Sequence, residues 1–210
     1  MSIFNRQKFI DRTARKPSGQ TSRCAYTNPR GHYSSFRIIL NLLALKPEDQ
    51  YMEIGCGGGI LLRSALETAS FGAGIDHSPD MVEVSRENNA QAIESGRAQV
   101  VQGDVADLPW DDERFSAAAS ANMFFFVEEP EKALAEVYRV LRSGGRFAMV
   151  TSADTLPVRL TLGWLYQLKS YSNEEMTEML LRAGFCDIRV ETRRFFSQVC
   201  FARKSEETNT

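Results

Sequence analysis

Apolar positions along the chain alternate between two periods, and the alternation predicts the elements. Phe36, Ile39, Leu40 and Leu43 fall on one face of a helix that Ser34 or Ser35 can cap and that Lys46-Pro47 stops near Leu45. The short apolar run Tyr51-Met52-Glu53-Ile54 reads as a strand, and after a glycine cluster Leu62, Ala65, Leu66 and Ala69 return to helical spacing, with Gly72 closing that helix. Further strands are predicted at Ala73–Asp76, Ala98–Gln102, Phe115–Ala121 and Arg146–Thr151. Between them, Ser78-Pro79-Asp80 opens one helix in the favoured way, and Leu134, Val137, Tyr138 and Leu141 stripe another over Pro130–Leu141. Ser172 to Glu175 forms a capping box for a helix carrying Met176, Met179, Leu180 and Ala183, which Gly184 ends. Asp187–Arg193 and Ser197–Arg203 are joined tightly enough to be antiparallel. Strands that alternate with helices and end in a hairpin predict an α/β doubly wound sheet with one antiparallel edge strand.

Composition changes this picture little, and charge changes it more. A chain of 210 residues that is 43% hydrophobic can bury one sizeable core. No apolar run approaches the roughly 18 to 20 residues of a membrane helix, and no signal-peptide block opens the chain, so a soluble, cytoplasmic protein is expected. Cys24, Cys56, Cys186 and Cys200 are scattered without metal-ligand spacing, so no metal is expected and Cys56, within the glycine turn, is assigned no chemistry. The net charge of -2 conceals an asymmetry: residues 1 to 37 hold eight Lys and Arg against one acid, Asp11, whereas the remainder holds 17 against 26. The expected organisation is therefore a basic arm over residues 1–33, weakly amphipathic over 3–14, a domain over 34–204 and a disordered tail over 205–210. The arm can lie on the acidic body, serve as a lid over it, touch an anionic substrate or nucleic acid, or be a transit peptide, and it lacks the aromatic interleaving expected of a strand-stacking surface.

The chemistry concentrates where the first strand ends, at Gly55-Cys56-Gly57-Gly58-Gly59. Without Cβ atoms the turn can bring a ligand against bare peptide. A dinucleotide fingerprint requires a third glycine where Ile60 stands, and Glu53 would face a pyrophosphate with like charge, so a cationic ligand suits the turn better. Asp76 ends the second strand 19 residues after Gly57, near the spacing of about 20 at which a carboxylate reaches a ribose in nucleotide-binding α/β folds.

Glu53, Gly55, Gly57 and Gly59 make the acidic-x-Gly-x-Gly-x-Gly motif of the class I S-adenosylmethionine-dependent methyltransferases, and Gly103-Asp104 with Leu108-Pro109-Trp110 resembles a second stretch of that family. The resemblance covers about residues 34–204 and implies a seven-stranded Rossmann-like sheet of order 3-2-1-4-5-7-6. It further implies S-adenosylmethionine as cofactor, with His77 and Met81 near the adenosine, Asp104 and Val105 reading adenine, and Asn122 among the contacts. Ser116 departs from the aspartate usual at that position, which faces the strand's start. Ser120-Ala121-Asn122-Met123 departs from the signature of adenine and glutamine N-methyltransferases, so those activities are not expected. The leading segment should fold over the cleft, making His32 and Tyr33 candidates for its wall, and Phe124-Phe125-Phe126 lies at its mouth, with at least one of the three in the core. The chain is most similar in kind to the quinone-biosynthesis subgroup, which implies methyl transfer to a small-molecule acceptor, with His32, Tyr33 and Tyr171 the only candidate bases. A silent cofactor-binding partner or sensor, and an RNA or protein methyltransferase, are the alternatives.

Overall fold

The computed structural model describes residue 10 and residues 16–206. The arm's Arg6, Lys8, Asp11, Arg12 and Arg15, most of the amphipathic stretch 3–14, and tail residues 207–210 lie outside the described residues. Seven strands form one sheet: β1 (Gln50–Ile54), β2 (Phe71–Asp76), β3 (Ala98–Gln102), β4 (Phe115–Ala121), β5 (Leu141–Ser152), β6 (Cys186–Arg193) and β7 (Ser197–Arg203). Their order is β3-β2-β1-β4-β5-β7-β6. The β1 to β5 pairings are parallel, and β7 runs antiparallel between β5 and β6, so the antiparallel pairing is confined to the hairpin at one edge.

Both faces of the sheet are covered, which is why its central strands read as continuous apolar runs. On one face Ile39 and Leu43 of a helix α2 (Tyr33–Leu43), Leu61 of α3 (Ile60–Ala65) and Val82 of α4 (Pro79–Asn88) pack on Tyr51, Ala117 and Ala148. After a one-turn α5 (Ala90–Glu94), the other face is covered by Leu134 and Val137 of α6 (Pro130–Val140) and by Met176 and Leu180 of α7 (Asn173–Arg182), which meet Met52, Phe147 and Phe124. The small side chains Ala117, Ala118 and Ala119 let helices approach β4 on both sides.

Three local expectations are corrected. Neither Ser34 nor Ser35 caps α2: a 3-10 turn over Arg30–His32 runs straight into the helix and already satisfies its first amides, leaving Ser35 buried with its hydroxyl 3.5 Å from Asn122 Oδ1. The helix stops at Leu43 because Ala44 turns left-handed, before Pro47 is reached. Gly72 belongs to β2 and does not end a helix; a Cβ there would stand 2.6 Å from Leu62 Cδ1, so the glycine sets the close packing of sheet on helix. The capping box stands as read, with the Ser172 hydroxyl accepting from the Glu175 amide at 3.1 Å and Glu175 Oε2 accepting from the Ser172 amide at 2.7 Å. Ser205 is tied to the start of β5, its carbonyl accepting from Ser143 Oγ at 3.1 Å.

Residues 17–27 form a strap that periodicity does not reveal. Its helix α1 (Gln20–Thr27) carries no apolar stripe and is held by charge. Arg23 pairs with Glu83 and, at 2.9 Å, with Glu87, both on the exposed face of α4, while the Gly19 amide donates to Asp80 Oδ2 at 2.7 Å and the Ser78 hydroxyl to the Pro17 carbonyl at 2.6 Å. The C-terminal end of α1 rests on the glycine turn, so that a Cβ at Gly58 would fall 2.0 Å from the Tyr26 carbonyl oxygen.

At the opposite end of the sheet, Asp49 accepts from Ser116 Oγ at 2.6 Å and from Arg146 Nη2 at 2.5 Å. Ser116 thus supplies a donor at the strand's start, away from the turn, as the departure from the family's aspartate suggested. Burial opposes ionisation of Asp49, but the Ser116 and Lys46 donors and Arg146 outweigh it and hold the carboxyl below its usual range.

Two outcomes follow from these contacts. Asp49→Ala strands Arg146 and costs about 3 kcal/mol in urea unfolding. Because the folded-state pKa of Asp49 is depressed, its contribution is complete above the unfolded value near 4 and is lost as pH falls through the lower folded value, so the variant shows a shallower loss of stability in acid. Gly58→Ala unseats α1 without unfolding the sheet, which hydrogen exchange will register as lost protection confined to residues 20–27.

Candidate functional site

Three successive parallel strands release their chain at the same edge, and the ends of β1, β2 and β3 with that of β4 wall a single cavity of about 560 Å³. This is the crevice outside the carboxyl ends of an open α/β sheet, where such folds take ligands, and its size is within the usual range for small-molecule sites. Gly55, Gly57 and Gly59 all have positive φ, 65°, 49° and 72°, which only glycine adopts without strain. At Gly55 the space is closed as well, since a Cβ would stand 2.4 Å from Met123 Cγ.

Glu53 and Asp76 are the buried carboxylates of the wall. Asp76 is fixed by two amides, Gly57 to Oδ2 and Ser78 to Oδ1, each at 2.9 Å. Each oxygen keeps a lone pair for a further donor. Glu53 is 2% exposed and its Oε2 has no hydrogen-bond partner. Burial pushes both carboxyls up, Glu53 well above its ordinary value with the nearby charge of Asp76 adding to the effect, whereas at Asp76 the two amides offset part of the rise. An orphaned buried carboxylate oxygen beside a second buried acid is a site built for a donor or a cation.

Nine of the ten residues expected to touch a cofactor line this cavity: Glu53, Gly55, Gly57, Asp76, His77, Met81, Asp104, Val105 and Asn122. Gly59 does not. It begins α3 behind the turn, its carbonyl accepting from Asn89 Nδ2 at 3.0 Å, and a Cβ there would strike Ser85 Oγ at 2.2 Å. Asp104 closes its own turn by accepting from the Ala106 amide at 2.9 Å. Leu108-Pro109-Trp110 lies apart from the cavity and is a structural clamp: Arg139 donates to the carbonyls of Leu108 and Trp110, and the Leu108 amide donates to Glu136 at 2.8 Å. Asn122 takes a left-handed φ of 56°, which asparagine tolerates better than most residues.

Of the three candidate bases the structure brings one to the cavity. His32 lines it, packed edge-on between Tyr26 and Phe36, and burial lowers its pKa so that the ring is neutral at pH 7. Tyr33 is exposed and its hydroxyl donates to Asn28 Oδ1 at 2.8 Å; Tyr171 packs against Phe124 away from the wall. Phe124 is core, Phe126 lines the cavity, and Phe125 stacks edge-on against Phe126. Cys56 shares the turn, but burial pushes its thiol well above the ordinary range, in keeping with a packing role.

Sequence reasoning missed Tyr26, Phe36, Met123, Glu128 and Glu129, which also line the cavity. Tyr26 comes from a helix without hydrophobic periodicity, and the two glutamates from a loop, so no pattern marked them. Burial and then the charge of Asp76 raise the Tyr26 hydroxyl above its usual pKa, leaving it a donor.

Residues 52–149 match the family model described as a methyltransferase domain. Sterol 4-C-methyltransferase strm-1 of Caenorhabditis elegans is 31% identical over 113 residues, 52% of this chain and 33% of that protein. The ubiquinone/menaquinone biosynthesis C-methyltransferase UbiE of a Geobacter species is 30% identical over 137 residues, 63% of this chain and 58% of that one. The chain thus spans about a third to three-fifths of the length of these curated relatives. In fold it is similar to phosphoethanolamine N-methyltransferase 2 of Haemonchus contortus, solved with S-adenosyl-L-methionine, at a TM-score of 0.79 and 18% identity over 98% of this chain and 61% of that one. The matched stretch begins on β1 and ends within β5, so it takes in every strand end that walls the cavity, and over it the chain is similar to a methyltransferase domain.

Proposed function

We propose that this chain transfers the methyl group of S-adenosylmethionine to a small, largely apolar acceptor. The observation that carries the reading is the pair of buried acids, Glu53 with its unpartnered oxygen and Asp76 with spare lone pairs, opening onto one cavity beside bare glycine backbone. These residues fit the cofactor: Asp76 would accept from the ribose hydroxyls, Asp104 and the Val105 amide would meet the adenine, and Glu53 would face the cationic half. When bound, the cofactor supplies an electrophilic methyl on a sulfonium centre.

The chain's part is to orient and to exclude water. Tyr26, Phe36, His32 and Phe126 give the remaining wall an aromatic character that suits both a sulfonium and an apolar acceptor. Both curated relatives named above are C-methyltransferases, which supports a small-molecule acceptor. No observation favours a silent binding module, and a cavity of about 560 Å³ with the α1 strap over the turn suits a small molecule better than a nucleic-acid strand. His32, neutral and lining the cavity, is the group we assign to take up a proton from the acceptor.

Calorimetry tests the reading. S-adenosylmethionine binds, NAD does not, and Asp76→Ala weakens the cofactor by about 1.5 to 3 kcal/mol through loss of charge-assisted hydrogen bonds; binding of NAD alone would overturn it. Both acids hold their protons above the ordinary carboxylate range in the free protein, and a cation with hydroxyl donors favours their ionised forms. Binding therefore releases protons, and affinity falls as pH drops through the raised values, which heats measured in buffers of different ionisation enthalpy will show. His32→Ala lowers turnover about 10²-fold with cofactor affinity unchanged; unchanged turnover would mean that the acceptor gives up its proton to another group.

A further inference from the structure

The large apolar side chains that remain exposed are not scattered. Among the described residues, six of the eight fall in two stretches remote in sequence: Leu156, Leu160, Trp164 and Leu165 in a run of short helical turns after β5, and Phe195 and Phe196 at the tip of the β6–β7 hairpin. Leu160 is 70% exposed, Trp164 66% and Phe195 71%. The two stretches meet, since Thr155 Oγ1 donates to the Phe195 carbonyl at 2.5 Å and the Ala153 amide to the Phe196 carbonyl at 3.1 Å.

Topology puts this surface beside the cavity mouth. The first stretch leaves the carboxyl end of β5 and the second follows that of β6, the same end of the sheet that opens the cavity. Lys169, at the end of the helical run, donates from its amide to the Phe125 carbonyl at 3.1 Å and from Nζ to the carbonyls of Val127 at 3.0 Å and Glu128 at 3.1 Å, joining the run to the cavity wall. At the hairpin tip Arg194 and Phe195 both take left-handed φ, 49° and 61°, unusual for such side chains.

The charges beside the patch distinguish its occupant. Arg159 pairs with Asp154 and Arg193 with Glu191, whereas Arg194 is exposed with no hydrogen bond or ion pair among the described residues. By sequence, residues 1–16 carry five cations against Asp11 alone, and this segment enters the described structure at Lys16-Pro17, where Pro17 lines the cavity. Aromatic and leucine side chains exposed on short helical turns and a hairpin tip beside an unpaired Arg, in a chain whose first residues are basic by sequence, match the membrane–water interface, where apolar burial and attraction to anionic headgroups add. No helix among the described residues is long and apolar enough to cross a membrane, so contact of this kind would be from one side.

We propose that this face docks on anionic lipid bilayers, holding the cavity mouth at the interface from which an apolar molecule can enter. The docking does not depend on the methyl-transfer reading, and its test needs neither cofactor nor acceptor.

The test is sedimentation of the full chain with vesicles of equal parts phosphatidylcholine and phosphatidylglycerol, and with phosphatidylcholine alone. Strong partition onto the mixed vesicles is expected, falling at high salt and weak on phosphatidylcholine. Replacing both Phe195 and Phe196 by Ser lowers the partition coefficient at least about tenfold. Arg194→Glu, which disturbs no packing, lowers it as well and serves if the double variant does not fold. Absence of sedimentation overturns the proposal, as does binding that neither variant weakens, since the basic arm alone would then be the grip. A dimer that the double variant splits into monomers overturns it too, because a second copy of the chain would then cover the face.

Discussion

The interaction on which the site depends is the pair of amide bonds from Gly57 and Ser78 to the Asp76 carboxylate. It locks the end of β2 to the glycine turn after β1 and to the start of α4, so one side chain fixes the relative position of three segments that wall the cavity. Burial opposes ionisation of Asp76, and the same bonds offset part of that effect. Glu53, near the end of the neighbouring strand β1, lacks such support at Oε2, and its carboxyl is raised further. The two acids thus differ: Asp76 has both oxygens held by backbone amides, whereas Glu53 keeps one oxygen, Oε2, without a partner.

Charge also closes the cavity. The strap of residues 17–27 has almost no apolar surface to bury, and its hold on α4 comes from Arg23 against Glu83 and Glu87, with Asp80 and Ser78 fixing the chain ahead of it. Exposed ion pairs are weak and screened by salt, and local opening of such an element costs less than opening the core. The wall is therefore rigid where strands form it and separable where the strap does.

The two ends of the sheet divide the work. At the amino end Asp49, Ser116 and Arg146 form a polar knot across β1, β4 and β5 with no link to the cavity. At the carboxyl end lie the cavity, the aromatic wall and the exposed apolar face. Ser116 therefore alters how the strands are tied together and leaves the ligand side untouched, because the two are separated by the length of β4.

What the sequence determined by itself is whatever local pattern encodes. Period and turn chemistry placed every strand, the Ser172 capping box and the start of α4 at Pro79, strand ends with glycines or acids marked Glu53, Gly55, Gly57 and Asp76 before any contact was known, and resemblance to a known family added Asp104. Tertiary structure decided what no local pattern carries. It assigned Gly72 to a strand, because Leu62 needs the space, and moved Gly59 from the cavity wall to the packing behind it, because α4 comes to lie there. It chose His32 over Tyr33 and Tyr171, and it recruited Tyr26 through a polar helix whose anchor, the acidic row of α4, lies some 60 residues away in the chain. Periodicity reports which side of an element faces a core, whereas a wall assembled from charges, loops and helix ends exists only once the sheet has brought them together.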